Sequence, residues 1–149
     1  MGSVMTLIGQ FPRITYLNIS SNMISGEGFE PCVEELVRNQ SLTHLDLGVH
    51  DASNRKNSLG MQGAVCISSL LMRNQTIEFL NVKDNDFGAD GGQCIGEALS
   101  NNDTLKVLKI GDNKLTSVGA LPIIQNALSL ESLDMAKNML RNDMGKPIC

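Results

Sequence analysis

The chain has 149 residues, 42% of them hydrophobic, with 12 basic and 16 acidic side chains and a net charge of −4. That is enough apolar content for one domain burying about two-thirds of its unfolded surface. The basic residues form no stripe interleaved with aromatics, which argues against nucleic acid; no apolar run nears the ~18 residues of a membrane span, and the N-terminus lacks the basic start and long apolar core of a signal peptide.

Met1, Gly2 and Ser3 resemble a cloning remnant, and Val4 to Phe11 reads as the end of a helix from an earlier repeat. Ile14, Leu17 and Ile19 then alternate with polar residues, the signature of a short strand with one buried face, near 15–20. Asn22, Ile24 and Gly28 follow, and the spacing of Val33, Leu36 and Val37 changes to that of a helix of about three turns. Leu42, Leu45 and Leu47 open a second strand, near 43–48, and an insertion of Gly48 to Lys56 separates it from Asn57, Leu59 and Gly63. Ile67, Leu70 and Leu71 mark the next helix. Ile77, Leu80 and Val82 give a strand near 78–83, followed by Asn85, Phe87, Gly91 and a helix through Ile95, Ala98 and Leu99. Leu105, Leu108 and Ile110 repeat the pattern near 106–111, with Asn113, Leu115, Gly119 and a helix through Ile123, Ile124, Ala127 and Leu128. Leu130, Leu133 and Met135 close it near 131–136, before Asn138 and Leu140.

One pattern therefore occurs five times, with its asparagines at 22, 57, 85, 113 and 138 and intervals of 35, 28, 28 and 25 residues. Each unit is a strand, a turn and an antiparallel helix, and none can bury its apolar face alone. Stacking the units makes a parallel sheet on one side and helices on the other. A helix needs roughly 10 Å of width against about 4.8 Å for a strand, so the stack should curve with its strands inside. The side-chain amides of Asn22, Asn57, Asn85, Asn113 and Asn138 suit a structural role, tying each turn to the next repeat where backbone groups lose their partners. The glycine six residues later supplies close approach or a positive φ before the helix begins.

The repeat resembles that of leucine-rich repeat proteins of the ribonuclease-inhibitor-like class, over residues 14 to 140. It implies an α/β solenoid, a curved horseshoe segment forming a single domain over 1–149, and a part of a longer protein. Gly145 to Cys149 offers no capping helix, so self-association through uncapped ends is one expectation. The segment SSNMISGEG, Ser20 to Gly28, is similar to the tropomodulin repeat domain. Tropomodulins bind the slow end of actin filaments, so an actin-associated role is one alternative. Another, by analogy with the Ran GTPase-activating proteins, is a GTPase-activating or other enzyme-regulating role, for which Arg55 is the only candidate in the insertion. Cysteine repeats of Nod-like receptors fit less well, since Ser41, Thr76, Thr104 and Ser129 stand where those carry cysteine.

Function is expected on the groove. The non-leucine strand positions form two columns, Tyr16, His44, Phe79, Val107 and Ser132, and Asn18, Asp46, Asn81, Lys109 and Asp134. Exposed aromatics in a groove are typical anchors, so Tyr16, Asn18, His44, Asp46, Phe79, Asn81, Lys109 and Asp134 are candidate partner contacts. Within the insertion His50, Asp51, Arg55 and Lys56 are further candidates, since such loops project from the rim. Lys83, Asp84, Asp112 and Lys137 add charges of both signs. The leading reading is a non-catalytic protein-binding module without metal or cofactor: no Ser/His/Asp or Cys/His grouping has plausible geometry. Cys32, Cys66 and Cys94 read as small buried hydrophobes of a cytoplasmic protein. Three Asn-x-Ser/Thr triplets, at Asn39, Asn74 and Asn102, read as helix ends rather than glycosylation sites.

Overall fold

A computed structural model describes residues 8–50 and 54–141. Five strands form one parallel sheet in chain order, β1 (Tyr16–Asn18), β2 (His44–Asp46), β3 (Phe79–Asn81), β4 (Val107–Lys109) and β5 (Ser132–Asp134). Each is three residues long, shorter than the alternation of apolar residues suggests, because the chain turns at the asparagine soon after. Between them lie α1 (Gly26–Phe29), α2 (Cys32–Arg38), α3 (Gly60–Arg73), α4 (Gly88–Leu99) and α5 (Thr116–Asn126). Leu45, Leu80 and Leu108 from the strands and Leu47, Val82 and Ile110 just after them meet Leu36, Ile67, Leu70, Ile95 and Ile123 from the helices in one core. The fold is an α/β leucine-rich repeat solenoid.

The first helix is broken where the apolar spacing predicts continuity. Pro31 lacks an N–H and cannot donate into the turn before it, so α1 ends at Phe29 and Pro31 becomes the N-cap of α2. In the later units the helix begins three residues after the asparagine, one turn earlier than expected. The glycines at 63, 91 and 119 thus lie inside helices, where they allow close packing; a Cβ on Gly119 would stand 2.5 Å from the Ala89 carbonyl oxygen. The positive φ falls instead at the first helical residue, +59° at Gly60 and +70° at Gly88.

The asparagines hold the units together. Asn57, Asn85, Asn113 and Asn138 are at most 1% exposed. The Asn22 N–H donates to Asn57 Oδ1 at 3.0 Å, that of Asn85 to Asn113 Oδ1 at 2.9 Å, and that of Asn113 to Asn138 Oδ1 at 2.8 Å. Each Nδ2 reaches back to a carbonyl of the preceding unit: Asn57 to Ile19, Asn85 to Leu47, Asn113 to Val82 and Asn138 to Ile110. The residue two after the asparagine donates to the Oδ1 of the following unit's asparagine, Ile24 to Asn57 Oδ1 at 2.9 Å, Leu59 to Asn85 Oδ1 at 3.4 Å and Leu115 to Asn138 Oδ1 at 3.4 Å. A second ladder runs along the far ends of the helices. Asn39, Asn74 and Asn102 are at most 7% exposed, and each Oδ1 accepts the N–H groups two and three residues on. Asn74 Nδ2 also donates to the Leu36 carbonyl, and Asn102 Nδ2 to that of Leu71. A glycan on either amide would break that contact.

The sharp turns leave residues on both sides of Asn22, Asn85, Asn113 and Asn138 in the left-handed region, among them Met23, Lys114, Lys137 and Met139. A non-glycine side chain there costs on the order of 1 kcal/mol. Thr116, with φ +56°, occupies the place that glycine holds at 60 and 88. We expect Thr116→Gly to raise stability by about 0.5–1 kcal/mol, the relief of strain less glycine's helical entropy. By contrast, Asn113→Ala should cost about 3 kcal/mol, because it strips partners from several buried backbone groups. Urea denaturation checks both; a loss below ~1 kcal/mol for Asn113→Ala would contradict the ladder's role.

Candidate functional site

Parallel pairing sets Tyr16 opposite His44, His44 opposite Phe79, Phe79 opposite Val107 and Val107 opposite Ser132. The first three side chains form an aromatic ladder. The rings of Tyr16 and His44 are stacked with centroids 5.7 Å apart, and those of His44 and Phe79 lie 4.4 Å apart and 8° from parallel. Lys109 Nζ, from the next strand, sits 5.5 Å from the Phe79 ring centroid, a cation over a π face. Each ring limits its neighbour's rotamers. Tyr16, at the end of the ladder, is 56% exposed.

The second column behaves differently. Asp46 and Asn81, expected as groove contacts, are only 5% and 3% exposed. Their Oδ1 atoms turn onto the strand exit and accept the N–H two residues on, Gly48 at 3.0 Å and Lys83 at 3.1 Å. Asn18 and Asp134, which stay exposed, close the same bond with Ser20 and Ala136. Asn and Asp favour this local turn, which ends the strand. Lysine has no acceptor to offer, and Lys109 instead extends over Phe79. Asp46 and Asn81 thus serve the strand exits, and Asp134 on β5 lies two strands beyond Phe79 on β3.

The described legs of the insertion, residues 48–50 and 54–56, bond to the scaffold. His50 Nε2 lies 2.6 Å from Asp46 Oδ2, so the buried carboxylate is shared between the turn and the insertion. Lys56 Nζ pairs with Asp84 Oδ1 at 3.1 Å. The Arg55 carbonyl accepts the Met23 N–H, and Ile24 the Ser58 N–H, so the returning leg runs alongside the first unit. Asp51 lies outside the described residues. Spacing alone did not single out Glu78, which is exposed immediately before Phe79 and makes no ion pair among the described residues.

Among the described residues no three His, Cys, Asp or Glu side chains converge to hold a metal ion. No described helix is long and apolar enough to cross a membrane. On the helical side, Arg73 makes a two-pronged contact with Glu34, at 2.5 and 3.0 Å, linking α2 to α3. This guanidinium holds the Glu34 carboxyl below its ordinary value. Cys32, Cys66 and Cys94 are free thiols. Burial pushes Cys32 and Cys66 up from the ordinary thiol range.

The repeated strand, asparagine turn and helix define the leucine-rich repeat class. Residues 14–31, 73–96 and 101–123 match the family model of the Leucine Rich repeat, and the chain has the leucine-rich repeat fold. By sequence, no curated protein matches it. Among solved structures it is similar to Leiomodin-1 Actin-Binding Site 2, at 21% identity over 87% of this chain and 74% of that one, with a TM-score of 0.71. It is also similar to the tropomodulin C-terminal domain of Caenorhabditis elegans, at 12% identity over 89% of this chain and 82% of that one, again with a TM-score of 0.71. At these identities the likeness is one of fold.

Thiolate is the reactive form of cysteine. At pH 8 we expect Cys32 and Cys66 to be alkylated at least about tenfold more slowly in the native chain than in urea. Residue-resolved mass spectrometry of iodoacetamide-treated protein checks this; equal rates would contradict the burial of these thiols.

Proposed function

We propose that this chain is a non-catalytic module that binds another protein through the concave face of its sheet. The observation that carries this reading is the stacked ladder of Tyr16, His44 and Phe79 beside Lys109. Three rings fixed against one another expose apolar area without the entropy cost of ordering them at binding, as effective anchors do. Asn18 and the insertion border this surface, with His50 held by Asp46, Lys56 held by Asp84, and Arg55 exposed at the rim. In this reading the asparagines at 22, 57, 85, 113 and 138 are structural. No reaction, metal or cofactor is invoked. The free thiols suit a reducing compartment, and we assign the protein to the cytoplasm.

A second reading is favoured by the fold neighbours. Leiomodin-1 Actin-Binding Site 2 shares this architecture, which supports a role in which the partner is actin. Co-sedimentation of the chain with filaments separates this reading from the general one.

The double variant Tyr16→Ala/Phe79→Ala tests the concave face. We expect it to weaken capture of the partner more than about tenfold, as loss of two buried anchors should, with a nearly unchanged Tm because Tyr16 is exposed and Phe79 half-buried. Unchanged capture would remove this face from the binding surface. Equal loss of capture and stability would identify the rings as packing.

A further inference from the structure

The helical side carries an apolar stripe that the repeat does not require. On α3, Met61, Val65 and Met72 are 43%, 51% and 49% exposed. At about 100° per residue the three lie within about 40° of one another, and they span about 16 Å of the helix. Ser68 and Ser69 stand between them with small side chains. α3 packs against α2 on one side and α4 on the other, so the stripe is the outward face of a helix covered on both flanks. In the next unit, 28 residues on, the same places hold Ala89, Gln93 and Ser100. Stacking therefore does not call for large apolar side chains there. Contiguous exposed apolar area of this kind marks an interaction surface.

The flanks of the stripe are acidic. On the α2 side, Glu30 accepts from Gln62 Nε2 at 2.7 Å and Glu34 holds Arg73. The side of a helix that carries Gln62 thus faces the preceding unit. On α4, Asp90 takes the place of Gln62 and Glu97 that of Ser69, seven residues on and so on the same side; both point toward α3. Glu30, Asp90 and Glu97 are exposed and make no ion pair among the described residues. Arg73, at the end of the stripe, is committed to Glu34. A second copy of the chain would set acidic flank against acidic flank, and an anionic lipid surface would be repelled likewise. A basic amphipathic helix meets both demands, with apolar residues for the stripe and lysine or arginine on either side.

We propose that α3 docks a basic amphipathic helix of a partner protein, at a surface separate from the concave face. The apolar side of that helix covers Met61, Val65 and Met72, and its cations lie beside Glu30, Asp90 and Glu97.

The chain contains no tryptophan, so a tryptophan in a peptide reports its own burial. The intact chain is titrated into a capped peptide of about 18 residues, long enough to hold a helix. Leucines and one tryptophan recur in it at a spacing of three and four, with lysines elsewhere; a second peptide carries glutamate for lysine. The expected result is a saturable blue shift with the lysine peptide and none with the glutamate peptide. Met61→Gln/Val65→Gln/Met72→Gln should weaken the lysine peptide more than about tenfold, with Tm nearly unchanged because all three are exposed. Asp90→Lys/Glu97→Lys leaves the stripe intact and should weaken it by about tenfold. Tyr16→Ala/Phe79→Ala should bind it as the parent chain does. No saturable response to the lysine peptide, an equal response to the glutamate peptide, or unchanged affinity in the charge-reversed variant would overturn the proposal. So would loss of binding in Tyr16→Ala/Phe79→Ala, which would move the peptide to the concave face. Sedimentation of the chain as a dimer that Val65→Gln dissociates would overturn it too, assigning the stripe to a second copy.

Discussion

Four of the five units of this solenoid carry a buried amide that belongs partly to the neighbouring unit. Asn57, Asn85, Asn113 and Asn138 each direct Nδ2 to a carbonyl of the preceding unit, and Asn57, Asn113 and Asn138 accept an N–H from the asparagine before them. A buried polar group without a partner costs about 1–3 kcal/mol, so a unit displaced from its neighbour would lose several such groups at once. That constraint fixes the parallel register, and the register brings residues of equal rank together. The stacking of Tyr16, His44 and Phe79 is a consequence of it.

The turn that satisfies these amides is tight, and the chain accommodates it with left-handed residues on both sides of four of the five asparagines. Several are not glycine, asparagine or aspartate, so the strain is real and is offset by the bonds that the turn makes possible. At the opposite end of each repeat Asn39, Asn74 and Asn102 perform a similar service for the passage from helix to strand. Two amide ladders, one at each end of the units, leave the strand faces free to vary. Residues on those faces can therefore change without disturbing the stack.

Much of the architecture was legible because it is local and repeated: the alternation before each asparagine, the helical spacing after it, and the shared rank of the asparagines themselves. The break at Pro31 was masked by the helical spacing of Val33, Leu36 and Val37, although a missing N–H is a property of the residue. The glycines at 63, 91 and 119 mark the helix starts one turn late because they serve packing rather than turning, and the partners of Gly91 and Gly119 come from another unit. The site was legible in its columns but not in its detail. Asp46 and Asn81 occupy the groove side of their strands, yet the turn bonds that bury them depend on the chain two residues on. The contact of His50 with Asp46 depends on the path of the chain just after the second strand, and that of Lys109 with Phe79 on a diagonal between strands. None of these follows from spacing within one repeat.

The central claim is that the concave face is ordered in advance and is the surface a partner covers. Hydrogen–deuterium exchange of the chain, alone and saturated with its captured partner, tests this most directly. The account predicts slow exchange of the strand amides in the free chain, with added protection on binding confined to residues 15–20, 43–50 and 78–83. Protection confined to α3, α4 and α5 would contradict it and assign binding to the helical side.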